Sequence, residues 1–422
     1  MDLETQLRRV LEERSTTSPS ATDVVGAVHA GMTRRRRRQR LANGAVALSV
    51  AAIAVSSALI LRPGAVDAPP SVNAFVDVTA PTGFEVDDLT WTSTTHGYAL
   101  GTAPCKDTPG TCTFVLRTDT GSKDWVSHGT LHAAVPPAIG PCPAASCVTH
   151  LRFAKDAAGN EVGYAFGPSF AVTHDIDGVW VNEPTTGVVQ ALEAARGGNA
   201  VRVVSRPGGG HLVQQAPVGS AAWKQVDEIT AATPSVILKR QADRLVLLTF
   251  HNNTVRSETN VSDLRFSLDA GTTWTKGAHN PCDTESALVG ASLGRQGQVL
   301  VLCSRRSDGT SYVRESKDEG RTFAEPVTLP RELRATQLVA LNHRWLVAGD
   351  VAGKHERVVL SSPDSGTTWD RVVSQDLPDG SESGGYLDNS NSTTVWWLGP
   401  DPRVVWKSTD SGDTWSSATF RS

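Results

Sequence analysis

The chain has 422 residues, 39% hydrophobic and 20% charged, a balance that excludes a disordered polyelectrolyte and a multi-span membrane protein and gives room for two or three ordinary domains or one large repeat domain. The net charge of −4 averages two unlike parts: residues 1–40 carry nine Arg against five Asp and Glu, a surplus of +4, so residues 41–422 hold −8. An acidic bulk argues against nucleic acid as a partner.

Residues 1–40 read as a basic amphipathic tail. Leu3, Leu7, Val10 and Leu11 share one face of a helix over residues 2–14, and a second short helix is expected from Asp23 to Met32. Next come 21 residues without a charge, Leu41 to Leu61. At about 1.5 Å each they span about 30 Å, the hydrocarbon thickness of a bilayer, which predicts one transmembrane helix used as a signal anchor. Its flank Arg34 to Arg40 is strongly basic and the far side offers Arg62 alone, which puts the tail in the cytoplasm and the remainder outside. The alternative is a cleaved signal peptide, with Val66-Asp67-Ala68 as a weak cleavage site. Residues 62–73 are rich in Pro and Ala and predict an extended linker. The tail resembles the N-termini of actinobacterial membrane proteins that sit beside extracytoplasmic-function sigma factors, without the His and Cys zinc ligands of their anti-sigma domains; no Cys precedes Cys105.

Residues 74–422 repeat. Four octapeptides share the pattern Ser-x-Asp-x-Gly-x-Thr-aromatic: Ser267, Asp269, Gly271, Thr273 and Trp274; Ser316, Asp318, Gly320, Thr322 and Phe323; Ser362, Asp364, Gly366, Thr368 and Trp369; Ser408, Asp410, Gly412, Thr414 and Trp415. The four aspartates are 49, 46 and 46 residues apart. The pattern suits a tight turn between strands: the carboxylate accepts from N–H groups of its own turn, Gly takes a positive φ, the hydroxyls bond locally, and the ring opens the next strand. These octapeptides resemble those of the Asp-box, or bacterial neuraminidase repeat, β-propellers, in which the box joins the third and fourth strands of each blade. Weaker copies stand at Thr118 to Trp125, Thr173 to Trp180 and Gln214 to Trp223. Seven aromatic anchors, at about one per 48 residues, predict an all-β, seven-bladed propeller of four-stranded blades, with eight blades, or six with a decorated first third, as the alternatives. The segment Phe75 to Pro81 is expected to be a fourth strand without a blade of its own, closing the ring beside the last blade.

All six cysteines follow the anchor, as an oxidising exterior would require. Proximity pairs Cys105 with Cys112, Cys142 with Cys147, and Cys282 with Cys303, among fifteen possible connectivities. The spacings make poor zinc ligands, so no metal and no cofactor is expected.

The resemblance also implies a sialidase as one reading. Such an enzyme of this fold needs three arginines for the substrate carboxylate, a Tyr nucleophile activated by Glu, an Asp acid/base and a Phe/Tyr-Arg-Ile-Pro segment. That segment is missing, and the four tyrosines, Tyr98, Tyr164, Tyr312 and Tyr386, have no assignable nucleophile. Gly290 to Gly294 fits Gly-x-Ser-x-Gly but lacks the strand-turn-helix setting of a nucleophile elbow. His128 and His132, four apart, precede Pro136-Pro137 and do not sit as helical ligands would. Trp91, Trp345, Trp396, Trp397 and Trp406 are expected to pack in the core. No catalytic residue is therefore assigned. The expected function is a non-catalytic extracytoplasmic platform on a single-pass anchor, binding protein, peptide or glycan as sortilin-type receptors and photosystem assembly factors with similar repeats do, with a cytoplasmic partner for the tail. The alternative is a sialidase-like glycoside hydrolase.

Overall fold

The computed structural model describes residues 73–105, 110–121, 124–128, 131, 148–174, 179–230, 235–250, 261–278, 280–377 and 385–421. The tail, the transmembrane segment, the linker up to residue 72, His132, and the Cys142 and Cys147 pair lie outside the described residues. No helix among the described residues is long and apolar enough to cross a membrane.

Within the compact unit Pro69–Ser422, the strands form seven sheets, each a blade with its strands in sequence order. An opening strand, β1 (Asn73–Thr79), precedes blade 1, which is β2 (Glu85–Trp91), β3 (Gly97–Pro104), β4 (Thr111–Thr118) and β5 (Val126–Ser127). Blade 2 is β6 (His150–Lys155), β7 (Glu161–Phe166), β8 (Phe170–Thr173) and β9 (Trp180–Asn182); blade 3 is β10 (Val189–Ala194), β11 (Asn199–Ser205), β12 (His211–Pro217) and β13 (Lys224–Ile229). Blade 4 is β14 (Ser235–Gln241), β15 (Arg244–Phe250), β16 (Val261–Ser267) and β17 (Thr275–Lys276); blade 5 is β18 (Ser286–Leu293), β19 (Val299–Arg305), β20 (Ser311–Ser316) and β21 (Val327–Thr328). Blade 6 is β22 (Leu333–Ala340), β23 (Trp345–Val351), β24 (Glu356–Ser362) and β25 (Asp370–Asp376); blade 7 is β26 (Tyr386–Asn389), β27 (Val395–Leu398), β28 (Val404–Ser408) and β29 (Ser416–Arg421).

The ring closes beside the last blade, as expected, but with a fifth strand rather than a fourth. Blade 7 already has its four strands from the C-terminal end of the chain, and β1 joins it as a fifth, parallel to β29 with Val76 opposite Ala418 and Val78 opposite Phe420. The extra strand covers the backbone edge that β29 would otherwise leave bare.

Seven hydrophobic clusters hold the ring, each shared by two adjacent blades. One joins Leu89 and Trp125 of blade 1 to Trp396 and Phe420 of blade 7, which completes the circle. The middle strands feed two clusters at once because side chains alternate across a strand. Leu245 and Leu247 enter the cluster between blades 3 and 4, while Val246 and Leu248 enter the one between blades 4 and 5. Burial on both faces is why this strand reads Arg-Leu-Val-Leu-Leu-Thr-Phe without polar alternation. Truncating one such leucine to alanine would cost about 2–5 kcal/mol. Trp396 and Trp397 divide in the same way, the first facing blade 1 and the second blade 6. Trp91, Trp345 and Trp406 are buried as well.

Among the described residues, two disulfides tie local hairpins. Cys105–Cys112 closes the β3–β4 turn, and Cys282–Cys303 pins the approach to β18 onto β19.

Candidate functional site

The four full octapeptides sit in the turns between third and fourth strands of blades 4 to 7. In blade 4, the Ser267 hydroxyl donates to Asp269 Oδ1 at 2.8 Å and accepts from Gly271 N–H at 2.9 Å. Asp269 also accepts from the Thr273 N–H at 2.9 Å and the Thr273 hydroxyl at 2.6 Å. Blades 5, 6 and 7 repeat this set on Asp318, Asp364 and Asp410. The indoles of Trp274, Trp369 and Trp415 donate to the carbonyl of the box glycine. Phe323 cannot.

The turn needs two left-handed residues in succession, of which the sequence pattern disclosed only the glycine. Ala270, Glu319, Ser365 and Ser411, each just before its glycine, have φ between 58° and 66°. The glycines are fixed by crowding as well as by φ: a Cβ on Gly271 would lie 2.4 Å from Val201 Cγ2, and one on Gly366 2.6 Å from Val327 Cγ1, both on the preceding blade. The weak copy in blade 1 is built differently, with the Asp119 carboxylate drawn out of the turn by Arg117 at 2.9 and 3.0 Å.

Strand polarity puts these turns at the same end of the ring as the turns between first and second strands, and the two sets are bonded together. Ala270 N–H donates to Asp243 O at 2.8 Å, Glu319 N–H to Gly297 O at 2.9 Å, Ser411 N–H to Thr393 O at 2.8 Å and Gly121 N–H to Thr95 O at 2.9 Å. The octapeptides thus brace the inner turns that frame the end of the channel.

Inside the channel, five of the innermost strands bring ionisable groups together. Arg152 of β6 approaches Asp88 of β2 at 3.3 Å, Glu193 of β10 at 3.6 Å, and Asp388 of β26 at 3.4 Å. Its guanidinium also donates to the Tyr386 hydroxyl at 2.8 Å and to Leu151 O at 2.7 Å. Lys239 of β14 meets the other Asp388 oxygen at 3.0 Å, and Tyr386 donates to Asp388. Asp88 in turn accepts from the Leu151 N–H at 2.7 Å, tying blade 1 to blade 2. A bulge at Asp87 in β2 shifts the register beside this contact.

Burial and charge set the protonation of the network. Burial pulls the Arg152 guanidinium down, but Tyr386, Glu193, Asp88 and Asp388 more than offset it, so it stays charged. Burial pushes Asp388 up, and Lys239 and Arg152 outweigh that, holding it below the usual carboxylate range. Glu193 goes the other way: burial raises it and Arg152 recovers only part. Burial also raises the Tyr386 phenol well above its ordinary value.

The network spans blades 1, 2, 3, 4 and 7. Above it, at the braced end, a cavity of about 590 Å³ is floored by Arg152, Glu193, Lys239 and Asp388 and edged by Arg196, Arg240, Asp243, Arg295 and Asn391. This cavity forms a cup at the braced end of the channel.

The other residues singled out from sequence lie elsewhere. Tyr98 donates to Glu161 within the wall between blades 1 and 2, its ring stacked 3.5 Å from Phe153. This is a Tyr–Glu pair, but it faces no channel. Tyr164 accepts from Gly219 N–H at 2.8 Å and Tyr312 from Asp283 N–H at 3.0 Å, both structural. Tyr386 is in the channel with its hydroxyl committed to Asp388 and Arg152. Ser292 is no elbow: it lies in β18, and its hydroxyl accepts from Ala340 N–H at 2.9 Å across blades 5 and 6. His128 is buried with its ring 5.2 Å from Tyr98. Among the described residues, no group of three or more His, Cys, Asp or Glu is arranged to hold a metal ion.

No protein-family model matches the chain, and no curated protein matches it. Among solved structures, it is similar to YCF48 bound to D1 peptide, with a TM-score of 0.52 and 16% identity over 82% of this chain and 99% of that one. It is also similar to the β-propeller domain of the Trilobed protease from Pyrococcus furiosus, with a TM-score of 0.48 and 8% identity over 78% of this chain and 94% of that one. The likeness to the first is one of fold: this chain is a seven-bladed β-propeller.

Proposed function

We propose that the chain is a non-catalytic binding platform of the Asp-box type, carried outside the cell membrane by one transmembrane helix, with its ligand seated in the cup. The observation that carries this reading is the state of the cup's ionisable floor. A hydrolase needs a nucleophile or an acid/base pair free to exchange protons with substrate. Here Arg152, Lys239, Asp388 and Tyr386 are engaged with one another, while the cavity above them falls in the range of ligand pockets. The similar propeller YCF48 is described as bound to a peptide, which fits a ligand held by recognition alone. The anchor rests on the uncharged run 41–61 and its arginine flank, and the exterior location on that polarity together with two disulfides.

The test uses the full chain in lipid nanodiscs, assayed for hydrolysis of a fluorogenic sialoside and a glycoside panel and, in parallel, for capture of a peptide array. Binding without turnover is expected. Turnover that disappears in Tyr386→Phe would make the protein an enzyme and end the platform reading. Protease treatment of intact cells should digest the propeller and spare the tail; protection of the propeller would reverse the topology.

A further inference from the structure

We propose that the cup recognises short acidic peptide segments, held through Arg196, Arg240 and Arg295 at its edge; this rests on the platform reading and names its ligand class.

The first observation is an imbalance of charge. Five cationic side chains line the cavity, Arg152, Lys239 and the three arginines of the edge, against three carboxylates, Glu193, Asp243 and Asp388. On the floor the two signs are paired. At the edge they are not: among the described residues, none of Arg196, Arg240 and Arg295 forms an ion pair. This local surplus stands within a part of the chain whose net charge is −8, so it is set against the general field and attracts anions only at close range.

The second observation is that one of these charges is held in place without being neutralised. Arg240 donates from Nε to Ala242 O and from Nη1 to Asn199 O, both at 2.8 Å. Two backbone carbonyls fix the direction of the guanidinium and leave it without an ion pair at the cavity wall, where burial disfavours its charge and the attraction of Glu193 and Asp243 offsets only part of that. A carboxylate arriving there would gain a charge-assisted bond without the cost of rotamer ordering. Arg196 and Arg295 are exposed on the inner turns of blades 3 and 5, on either side of the blade that carries Arg240. The Arg295 turn is the one braced by Glu319 N–H, so an octapeptide holds the arm that carries it.

The third observation selects the ligand among anions. A sugar carboxylate could also be held by arginines, but a sugar ring gains further from stacking on an open aromatic face, and the cup offers none. Its aromatic lining is Trp91, Phe153 and Trp396, which are 3%, 8% and 2% exposed, and Lys407 already covers the face of Trp91 at 3.4 Å. The edge provides Asn342 instead, whose buried Oδ1 accepts no bond among the described residues and can take one from a peptide N–H; the Asn389 and Asn391 amides are committed to their own loop. Long polyanions are repelled by the acidic surroundings, whereas a short segment with two or three carboxylates fits the volume.

The experiment measures fluorescence anisotropy of a labelled Gly-Asp-Glu-Asp-Gly amide with the full chain in zwitterionic nanodiscs. Its neutral isostere Gly-Asn-Gln-Asn-Gly and sialyllactose serve as competitors. The R196Q/R295Q variant changes two exposed arginines. The K224Q/K276Q variant removes the same charge from exposed positions on outer strands. The inference expects binding of the acidic probe that weakens with salt, at least about tenfold loss in R196Q/R295Q, less than about twofold loss in K224Q/K276Q, and no competition from the isostere. Equal competition by the isostere, equal loss in both variants, or tighter competition by sialyllactose would each overturn it. Array peptides that bind regardless of R196Q/R295Q would leave the platform reading standing while removing this one; glycoside turnover would remove both.

Discussion

The Arg152 guanidinium of blade 2 reaches past blade 1 to donate to the Tyr386 hydroxyl of blade 7 at 2.8 Å, and the same end of the side chain approaches Asp388 at 3.4 Å. Asp388 is thereby the common partner of a cation from blade 2 and another from blade 4, Lys239. Interblade clusters join neighbours alone, so this carboxylate is where non-adjacent blades are held together.

Asp388→Asn removes the charge that both cations share, leaving them buried and under-compensated. Breaking a buried ionic network by removing one member costs about 3–5 kcal/mol, much more than an exposed pair. The expected result in urea unfolding is a loss of that size, with part of it recovered in Asp388→Asn/Lys239→Met because the stranded ammonium is gone. A loss below about 1 kcal/mol would mean the network behaves as a solvated surface cluster.

The fold was legible in the sequence where physics is local, and the charged network was hidden where it is not. The aspartate of each octapeptide closes its hydrogen bonds within eight residues, as Asp318 does with Ser316 and Thr322, so a written repeat reveals both the turn and the blade period. The strand before blade 1 was recognisable as a strand, but its place as a fifth, parallel member depended on blade 7 being complete, which is a count over the whole ring. The network draws Asp88, Arg152, Glu193, Lys239 and Asp388 from five strands with no common motif. A usable signal did exist: each is an ionisable residue in the first strand of a blade, a costly place for a charge unless a partner from another blade meets it. Ala270, Glu319, Ser365 and Ser411 share only their place before glycine, so their positive φ could not be read from residue type.

Asp318 makes the octapeptide sensitive to acid. The Thr322 hydroxyl and N–H, with Ser316 and a further backbone N–H, hold its carboxyl down to about 2, from an ordinary 3.8. A depressed carboxyl stabilises the fold above its unfolded value and loses that contribution as pH falls through its folded one. Asp318→Asn should therefore lower stability by about 1–2 kcal/mol at neutral pH, and its gap from the parent should shrink between about pH 4 and pH 2. Unfolding midpoints across that range check this; a gap independent of pH would show that the carboxylate's charge contributes nothing.

Two glycines with similar backbone angles should respond differently to alanine. Gly353 has φ 75°, and a methyl group added there would meet nothing within 4 Å, while Gly366 has φ 89° and its added methyl would meet Val327 Cγ1 at 2.6 Å and the Trp345 ring at 3.0 Å. Gly353→Ala meets backbone strain alone, about 1–2 kcal/mol. Gly366→Ala adds a clash at a blade interface, about 1–3 kcal/mol more. Equal losses in thermal unfolding would refute the role of the box glycine as a contact with the preceding blade.

Lys407, on the third strand of blade 7, gives the seam with blade 1 a pH dependence. Its ammonium lies against the Trp91 ring at 3.4 Å and donates to Thr94 O at 2.5 Å, and burial pushes it down to about 7 from an ordinary 10.5. Below about pH 7 the folded and unfolded chains both carry the proton, and the fold bears the whole cost of desolvating it. Between there and 10.5 the folded lysine is neutral while the unfolded one is charged, so the unfolded chain binds more protons and stability rises with pH. Lys407→Met removes the titration. Measured by urea unfolding, the variant should compare best with the parent near pH 6.5 and lose ground steadily toward pH 9.5, as the parent sheds its buried charge. A constant difference between the two proteins over that range would mean that the Trp91 face and the Thr94 carbonyl fully replace water around the ammonium, leaving its folded value unshifted.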